Sequence, residues 1–435
     1  MPSAIFSHTA PTPLFNLTWP RLPELFPVAS PGIKTSRDSL VVDIDRDRLA
    51  NRMEKYLGKD ATDAEIAEAV PGAMESSARF DPLSTRRALQ EKGFRPWQIV
   101  RYAYRPFDVR WLYWEPETKL LDEKRSEYIG QTIFPSACLA TQQKSRGESS
   151  APQLISQPGC LDLLDRGASC FPAVVIDVAG TLLSDVHVSL NLSSSAVAKL
   201  IEIGGNKDDL FFHALATMHS PQYRTENAGA LLSDWPRIPL PATADLLARS
   251  ATLGRHLAEL LGAESSIRLT AEWSFLAALK LPKSSDLKGA LKLTAGWGYR
   301  GQGSTVMPGQ GLSPERQWTA AEREKLAALA VAQSLTLEGA LALLGESCVD
   351  VHLNGESFWP AIPINVWNYT LGGYQVLKKW LSYREFPLLG RPLHSEEAAY
   401  FAQIVRRIAA ILLLGPTLDA SYQAIIPSAT GLPTA

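Results

Sequence analysis

The stretch "PWQIVRYAYRPFDVRWLYW", residues 96 to 114, constrains the fold of this chain more than any other. Ile99, Arg101 and Ala103 fall on one face of an extended chain, and Val100, Tyr102 and Tyr104 on the other. Proline has no N–H to give a central ladder, so the run divides into two strands at Arg105-Pro106. The stretch also holds Asp108 and, nine residues on, Glu117-Thr118-Lys119, the loose D…ExK pattern of a metal-dependent nuclease. In a chain with 45 Asp and Glu, that spacing arises by chance about once. A nuclease core also needs its second carboxylate and lysine on a strand beside the first. Pro116 inside "EPETK" predicts a turn there instead.

The rest of the chain alternates short strands with capped helices. "SLVVDID" (39–45) has the composition of a strand, and "RDRLANRMEKYLG" (46–58) reads as a helix ended by Gly58. "ATDAEIAEAV" is a second, short helix stopped by Pro71-Gly72. From 129 to 190 the pattern is strand-like, with "IFPSACLATQQ" and "FPAVVIDVAG" as its best segments. Helix follows from "DDLFFHALATMH", with Ser220-Pro221 as a cap and first-turn pair. "TADLLARSATLGRHLAELLG" carries a Thr cap and a terminal Gly262, and Thr319 with Glu322 has capping-box spacing. "CVDVHLN" alternates like a half-buried strand. In the closing helix Phe401, Ile404, Val405, Ile408 and Leu412 form one apolar stripe, with Gly415-Pro416 as its stop. The expected fold is mixed α+β with at least two lobes, short strands in the N-terminal half and more helix towards the C-terminus. The expected division is a connector over 1–128, a first lobe over 129–285 and a second over 286–435, with the seam near 280–290.

At 435 residues, 46% of them hydrophobic and 20% charged, the chain has room for two or three cores. No run of about 18 apolar residues appears, and "MPSAIFSHTAPTPLF" lacks the layout of a signal peptide, so the expected location is the cytoplasm, away from membranes. Cys138, Cys160, Cys170 and Cys348 are too widely spaced for a zinc pattern and read as structural thiols. A net charge of −2 excludes indiscriminate binding to phosphates and leaves room for a reader with a local basic cleft.

Several chemistries are missing from the sequence. There is no GxxxxGK[ST] loop for ATP, no adjacent prolines to clamp a flipped base, and no FxGxG turn for S-adenosylmethionine. The seven histidines form no HxxxH or HExxH pair, so no metal site is expected, and His219 and His352 read as structural. "GWGYRGQG" (296–303) lacks the helix of a phosphate cradle and reads as a flexible loop.

What remains is a set of clusters rich in aromatic residues and arginine. Arg forks match guanine edges and phosphates, and Tyr and Trp pack against sugars and bases. Their wording and order resemble the C-terminal specificity region of type ISP restriction-modification enzymes. These are single polypeptides that join a nuclease, a motor, an adenine-N6 methyltransferase and a target-recognition region. The matching pieces are "PGIKTSRDSLVVDID", "YRPFDVRWLYW", "HSPQYRTENAGALLSDWPRIPLP", "VWNYTLGGYQVLKKWLSYRE" and "GRPLHSEEAAYFAQIVRRIAAILLL", across roughly residues 30 to 425. Asn227 departs from an expected tyrosine.

The resemblance implies sequence-specific recognition of double-stranded DNA, by a region that occurs as a separate chain or gene fragment. It implies no cofactor in this chain, with S-adenosylmethionine and magnesium belonging to catalytic domains not represented here. A separate methyltransferase or motor chain is a further implied partner. Cluster membership makes Arg110, Tyr223, Arg224, Trp297, Arg300, Lys378, Lys379 and Arg384 the candidate DNA contacts. Lys378, Lys379 and Arg384 could equally be the solvated face of a helix. Arg105 and Asp108, with Arg110, are expected to form a structural ion-pair corner. Two rivals stand beside this: an autonomous nuclease using Asp108, Glu117 and Lys119, and a non-catalytic subunit that docks onto a separate methyltransferase.

Overall fold

Alternation and the proline break produce the hairpin at the centre of the connector. A computed structural model describes residues 18–130, 137–144, 151–165, 167–178, 186–265, 267, 269–283, 286–302 and 305–433. Strand Ile99–Arg105 pairs antiparallel with Asp108–Tyr113, Tyr102 opposite Arg110 and Arg105 opposite Asp108, with a bulge between Ala103 and Arg105. The turn is Pro106-Phe107, with Phe107 at φ 57°. Val42–Asp43 adds a third, two-residue strand against Leu112 and Trp111. The first three residues of the strand expected over 39–45 belong instead to a helical turn, Asp38–Val41, and only Val42–Asp43 is strand. Leu40, Val41 and Val42 are all buried, so the run lacks the in-and-out alternation that a half-buried strand requires.

Local capping signals set the helix ends. Arg46–Leu57 stops at Gly58, and Thr62 and Glu65 cap Asp63–Ala69 reciprocally. Ser220 Oγ accepts the Tyr223 N–H at 3.1 Å and opens Pro221–Glu226 directly after helix Asp209–His219. That helix packs on Ala244–Leu261 so closely that a Cβ at Gly254 would lie 1.9 Å from the Phe212 carbonyl oxygen. Gly415-Pro416 ends helix Ser395–Leu413 but also begins another, Gly415–Ile425. Proline costs little there because first-turn N–H groups have no intrahelical partner. Ser395–Ser428 is apolar enough to span a membrane, yet 67% of its most apolar window is buried inside the protein.

A four-stranded sheet in the order Ser30–Pro31, Ser169–Pro172, Cys138–Thr141 and Gln153–Ile155 lies beside the connector hairpin. A three-stranded sheet, Glu315–Gln317, Ser347–His352 and Phe358–Pro363, supports the C-terminal helices. Two cores result. The smaller joins the connector to the four-stranded sheet through residues such as Leu49, Tyr102, Leu112 and Cys170. The larger runs from Trp19 to Tyr422 and includes the Phe401, Ile404, Val405 and Ile408 stripe. Residues on both sides of 286 contribute to it, so this core is shared across the expected seam.

Candidate nucleic-acid interface

The hairpin turn decides the chemistry of Asp108, which is 1% exposed. Arg110, on the same strand face, donates from Nε and Nη2 to one carboxylate oxygen at 3.0 and 2.7 Å. Arg384, 276 residues away, donates from Nη2 to the other oxygen at 2.9 Å. Burial alone would push the Asp108 carboxyl up, but the two guanidiniums outweigh it and hold the group well below the usual carboxylate range. Both oxygens of a permanent anion are therefore already occupied. Glu117 is exposed and ion-paired with Lys92 and Arg95, and Lys119 is exposed. The strand from Asp108 to Tyr113 puts about 17 Å of extended chain between Asp108 and the turn that leads to Glu117. Asp108, Glu117 and Lys119 do not converge, and among the described residues no cluster of three His, Cys, Asp or Glu could hold a metal ion.

The arginines and tyrosines around this corner form a closed ring. Arg110 lies over Tyr104 and Tyr383, 3.9 and 4.0 Å from their centroids. Lys379 lies over Tyr383 at 4.8 Å and Tyr374 at 5.5 Å. Arg105 lies over Tyr374 at 5.4 Å and Tyr104 at 4.2 Å. Three cations thus alternate with three tyrosines, half of the ring from the "YRPFDVR" hairpin and half from "GGYQVLKKWLSYRE". The glycines of the second motif make this possible. Gly372 and Gly373, at φ 55° and 78°, are the two-residue turn between Thr370–Leu371 and Tyr374–Gln375. A Cβ on Gly372 would also come within 2.4 Å of Leu164 Cα. The turn delivers Tyr374, whose hydroxyl donates to the Asp162 carbonyl at 3.2 Å, and starts helix Val376–Ser382, which carries Lys379.

All six ring members line a cleft of about 960 Å³ between the connector and the C-terminal segment. Eight Lys or Arg and five Asp or Glu line it, in a chain whose net charge is −2. Arg48 and Arg52 converge on Asp43 at 2.7 and 2.6 Å, and Lys34 and Arg37 on Asp122 at 3.5 and 3.3 Å. Arg300 reaches the cleft from the hairpin Gly298–Arg300/Val306–Pro308.

The candidate contacts divide sharply. Arg300 is exposed, Lys379 half-buried, and both line the cleft. Arg224 and Lys378 are half-buried and lie outside its lining. Four others, Tyr223, Trp297, Arg110 and Arg384, are buried and partnered inside the protein. Tyr223 is buried and donates to the Arg237 carbonyl at 2.9 Å; Trp297 is buried and donates to the His352 carbonyl at 2.8 Å. Arg110 and Arg384 spend their guanidiniums on Asp108. The expected corner also changes membership: it is Asp108 with Arg110 and Arg384, while among the described residues no carboxylate lies within 4.0 Å of Arg105. Part of the supposed loop "GWGYRGQG" is a hairpin strand. His219 is held by the Pro152 carbonyl at 2.9 Å, and burial pushes its pKa down to about 3.

Lys34, Arg37, Arg48, Arg52, Tyr374 and Tyr383 line the cleft without having been singled out from the sequence. The motifs "PGIKTSRD" and "GGYQVLKKWLSYRE" were the available signal, but ring partners hundreds of residues apart are not a local pattern.

The family model described as the type ISP C-terminal specificity domain matches residues 24–402. No curated protein sequence matches the chain. The solved structures that share its fold include the following three. One is described as a DrdV–DNA complex (TM-score 0.60, 18% identity, 91% of this chain and 36% of that one). The second is a nuclease-deletion mutant of the type ISP restriction-modification enzyme LlaGI with a DNA substrate mimic (0.54, 16%, 91% and 33%). The third is the ATP-dependent type ISP enzyme LlaBIII bound to DNA (0.54, 13%, 92% and 24%). The chain spans about a quarter to about a third of the length of these relatives.

Proposed function

The chain belongs to the type ISP C-terminal specificity domain family, and from that premise we propose that it recognises a specific double-stranded DNA sequence for an adenine-N6 methyltransferase of a restriction-modification system. The observation that carries this is the cleft, where positively charged side chains outnumber acidic ones in a chain of slightly negative net charge. A concave, locally basic surface concentrates phosphate electrostatics at one place, while the rest of the protein repels nonspecific nucleic acid. The relatives of like fold are described as DNA complexes, which supports the same reading.

Arg300 on its hairpin and Lys379 at the cleft wall are the side chains best positioned to meet the duplex, with Arg224 and Lys378 as outlying contacts. Methyl transfer, with S-adenosylmethionine, and any magnesium-dependent step would be supplied outside these residues, by another segment or by a separate methyltransferase or motor chain. Such a system works in the cytoplasm, where its DNA is.

Selection from a random duplex pool, followed by binding titrations at rising salt, tests the proposal. Expected are an enriched short motif and a logarithmic fall of affinity with salt. Absence of any salt-dependent affinity, or binding without an enriched motif, overturns it.

A further inference from the structure

Resting on the DNA-recognition reading, we propose that Arg105 and Lys379, which both lie over the ring of Tyr374, form a seat for a backbone phosphodiester, so that the cleft grips the strand by charge while bases are read elsewhere.

The pairing of cations around the cleft singles these two out. Arg37, Arg48, Arg52 and Arg110 each have a carboxylate within 3.3 Å. Lys34 has one at 3.5 Å. Among the described residues Arg105 and Lys379 have none within ion-pair distance. Arg105 donates from Nη1 to the Tyr104 carbonyl at 2.6 Å and to Cys160 Sγ at 3.3 Å. Its Nε is buried and has no hydrogen-bond partner. Lys379 rests on the faces of Tyr374 and Tyr383. A partly desolvated cation with an unfilled donor is costly to maintain, and two of them beside one tyrosine repel each other. An anion entering the cleft supplies the missing counter-charge and relieves that repulsion.

The ring decides which part of a nucleic acid that anion belongs to. Each of its three tyrosines already carries two cations, at 3.9 to 5.5 Å from the centroid. With each ring already engaged by two cations, what the site chiefly offers a ligand is charge and N–H donors. Those donors match phosphate oxygens. The seat is also preformed: the Gly372-Gly373 turn fixes Tyr374, and the Arg110–Asp108–Arg384 corner fixes the opposite wall. Little ordering remains to be done on binding, which favours affinity.

The test uses the full chain and fluorescent duplexes. Lys379→Met keeps the aliphatic stem over the tyrosines and removes the charge. It is expected to weaken binding roughly tenfold at low salt, equally on selected and random duplexes. The log–log salt slope should become shallower by about one, so that the variant loses about fourfold less affinity than wild type between 50 and 200 mM salt. Arg105→Lys, which keeps charge and removes the fork, should weaken binding with the slope unchanged.

Scanning single neutral methylphosphonate linkages through the duplex should find a position that weakens wild type and has no further effect on Lys379→Met. This scan decides the matter on wild type alone if a variant proves unstable. Unchanged affinity and slope in Lys379→Met, altered preference at one base position, or no sensitive linkage would each overturn the seat. Saturable binding of inorganic phosphate that duplex DNA does not displace would overturn it in favour of a free phosphate. Wild type without DNA affinity would instead remove the functional reading beneath it.

Discussion

Replacing Asp108 with Asn keeps the shape of the corner and removes its anion, leaving Arg110 and Arg384 buried with no counter-charge and facing an amide N–H₂. Breaking a buried pair in this way costs about 3–5 kcal/mol. With 435 residues at about 2.1 cal/mol/K each, the unfolding entropy is about 0.9 kcal/mol/K. The expected fall in melting temperature at pH 7 is therefore about 3–6 °C. The effect also has a defined dependence on pH. The native Asp108 carboxyl lies well below its ordinary value. Its stabilisation is thus complete above the unfolded value of about 3.9 and is lost as pH falls from there towards the native one. Melting curves followed by circular dichroism from pH 7 downward should show a gap between wild type and variant that is constant to about pH 4 and then narrows. A gap under about 1 °C at pH 7, or one that widens in acid, would refute the ion-pair account. Plasmid cleavage in Mg²⁺ that Asp108→Asn abolishes would restore the metal role to this residue; both proteins are expected to leave the plasmid intact.

Buried His213 and His219, whose pKa values burial pushes down to about 4 and about 3, should make the protein lose stability as pH falls from about 6.5. Urea titrations at pH 7 and pH 5 will show it, and His219→Gln should remove part of the difference. Gly372→Ala must place a Cβ at φ 55° and 2.4 Å from Leu164 Cα. It should cost about 2–4 kcal/mol in a denaturant melt and, by shifting Tyr374, weaken DNA binding as well. Glu117→Gln removes only exposed ion pairs to Lys92 and Arg95. It should change stability by less than about 1 kcal/mol in the same melt.

Helix ends were legible wherever the signal is local. Thr243, Thr319 with Glu322, and Ser220-Pro221 act within three or four residues, so reading them needs no knowledge of the fold. Gly415-Pro416 was only half legible, because the pair that stops one helix is equally suited to start the next. Asp108 and Arg110 were legible as a pair, since residues two apart on a strand share a face. Arg384 was not, because its place in the corner depends on packing across 276 residues. Aromatic and arginine clusters mark contact-rich places, but composition cannot separate a Trp297 buried in the core from an Arg300 on an exposed hairpin.

Arg105 and Arg110 illustrate the remaining gap. Both are arginines of "YRPFDVR" flanking the same aspartate, and plain alternation through a tight turn would send both to it. The bulge between Ala103 and Arg105 breaks that alternation: two residues on one strand advance against one on the other. Tyr104 and Arg105 consequently both line the cleft. Arg110 keeps the aspartate as its partner, and Arg105 is left with carbonyl, thiol and tyrosine contacts. One irregular ladder step thus converts one of two similar arginines from a structural ion into an uncompensated charge facing a cavity. Restoring regular pairing at the bulge would withdraw Arg105 from the cleft without touching a single charged residue, so the placement of this charge resides in the motif's register as much as in its side chains.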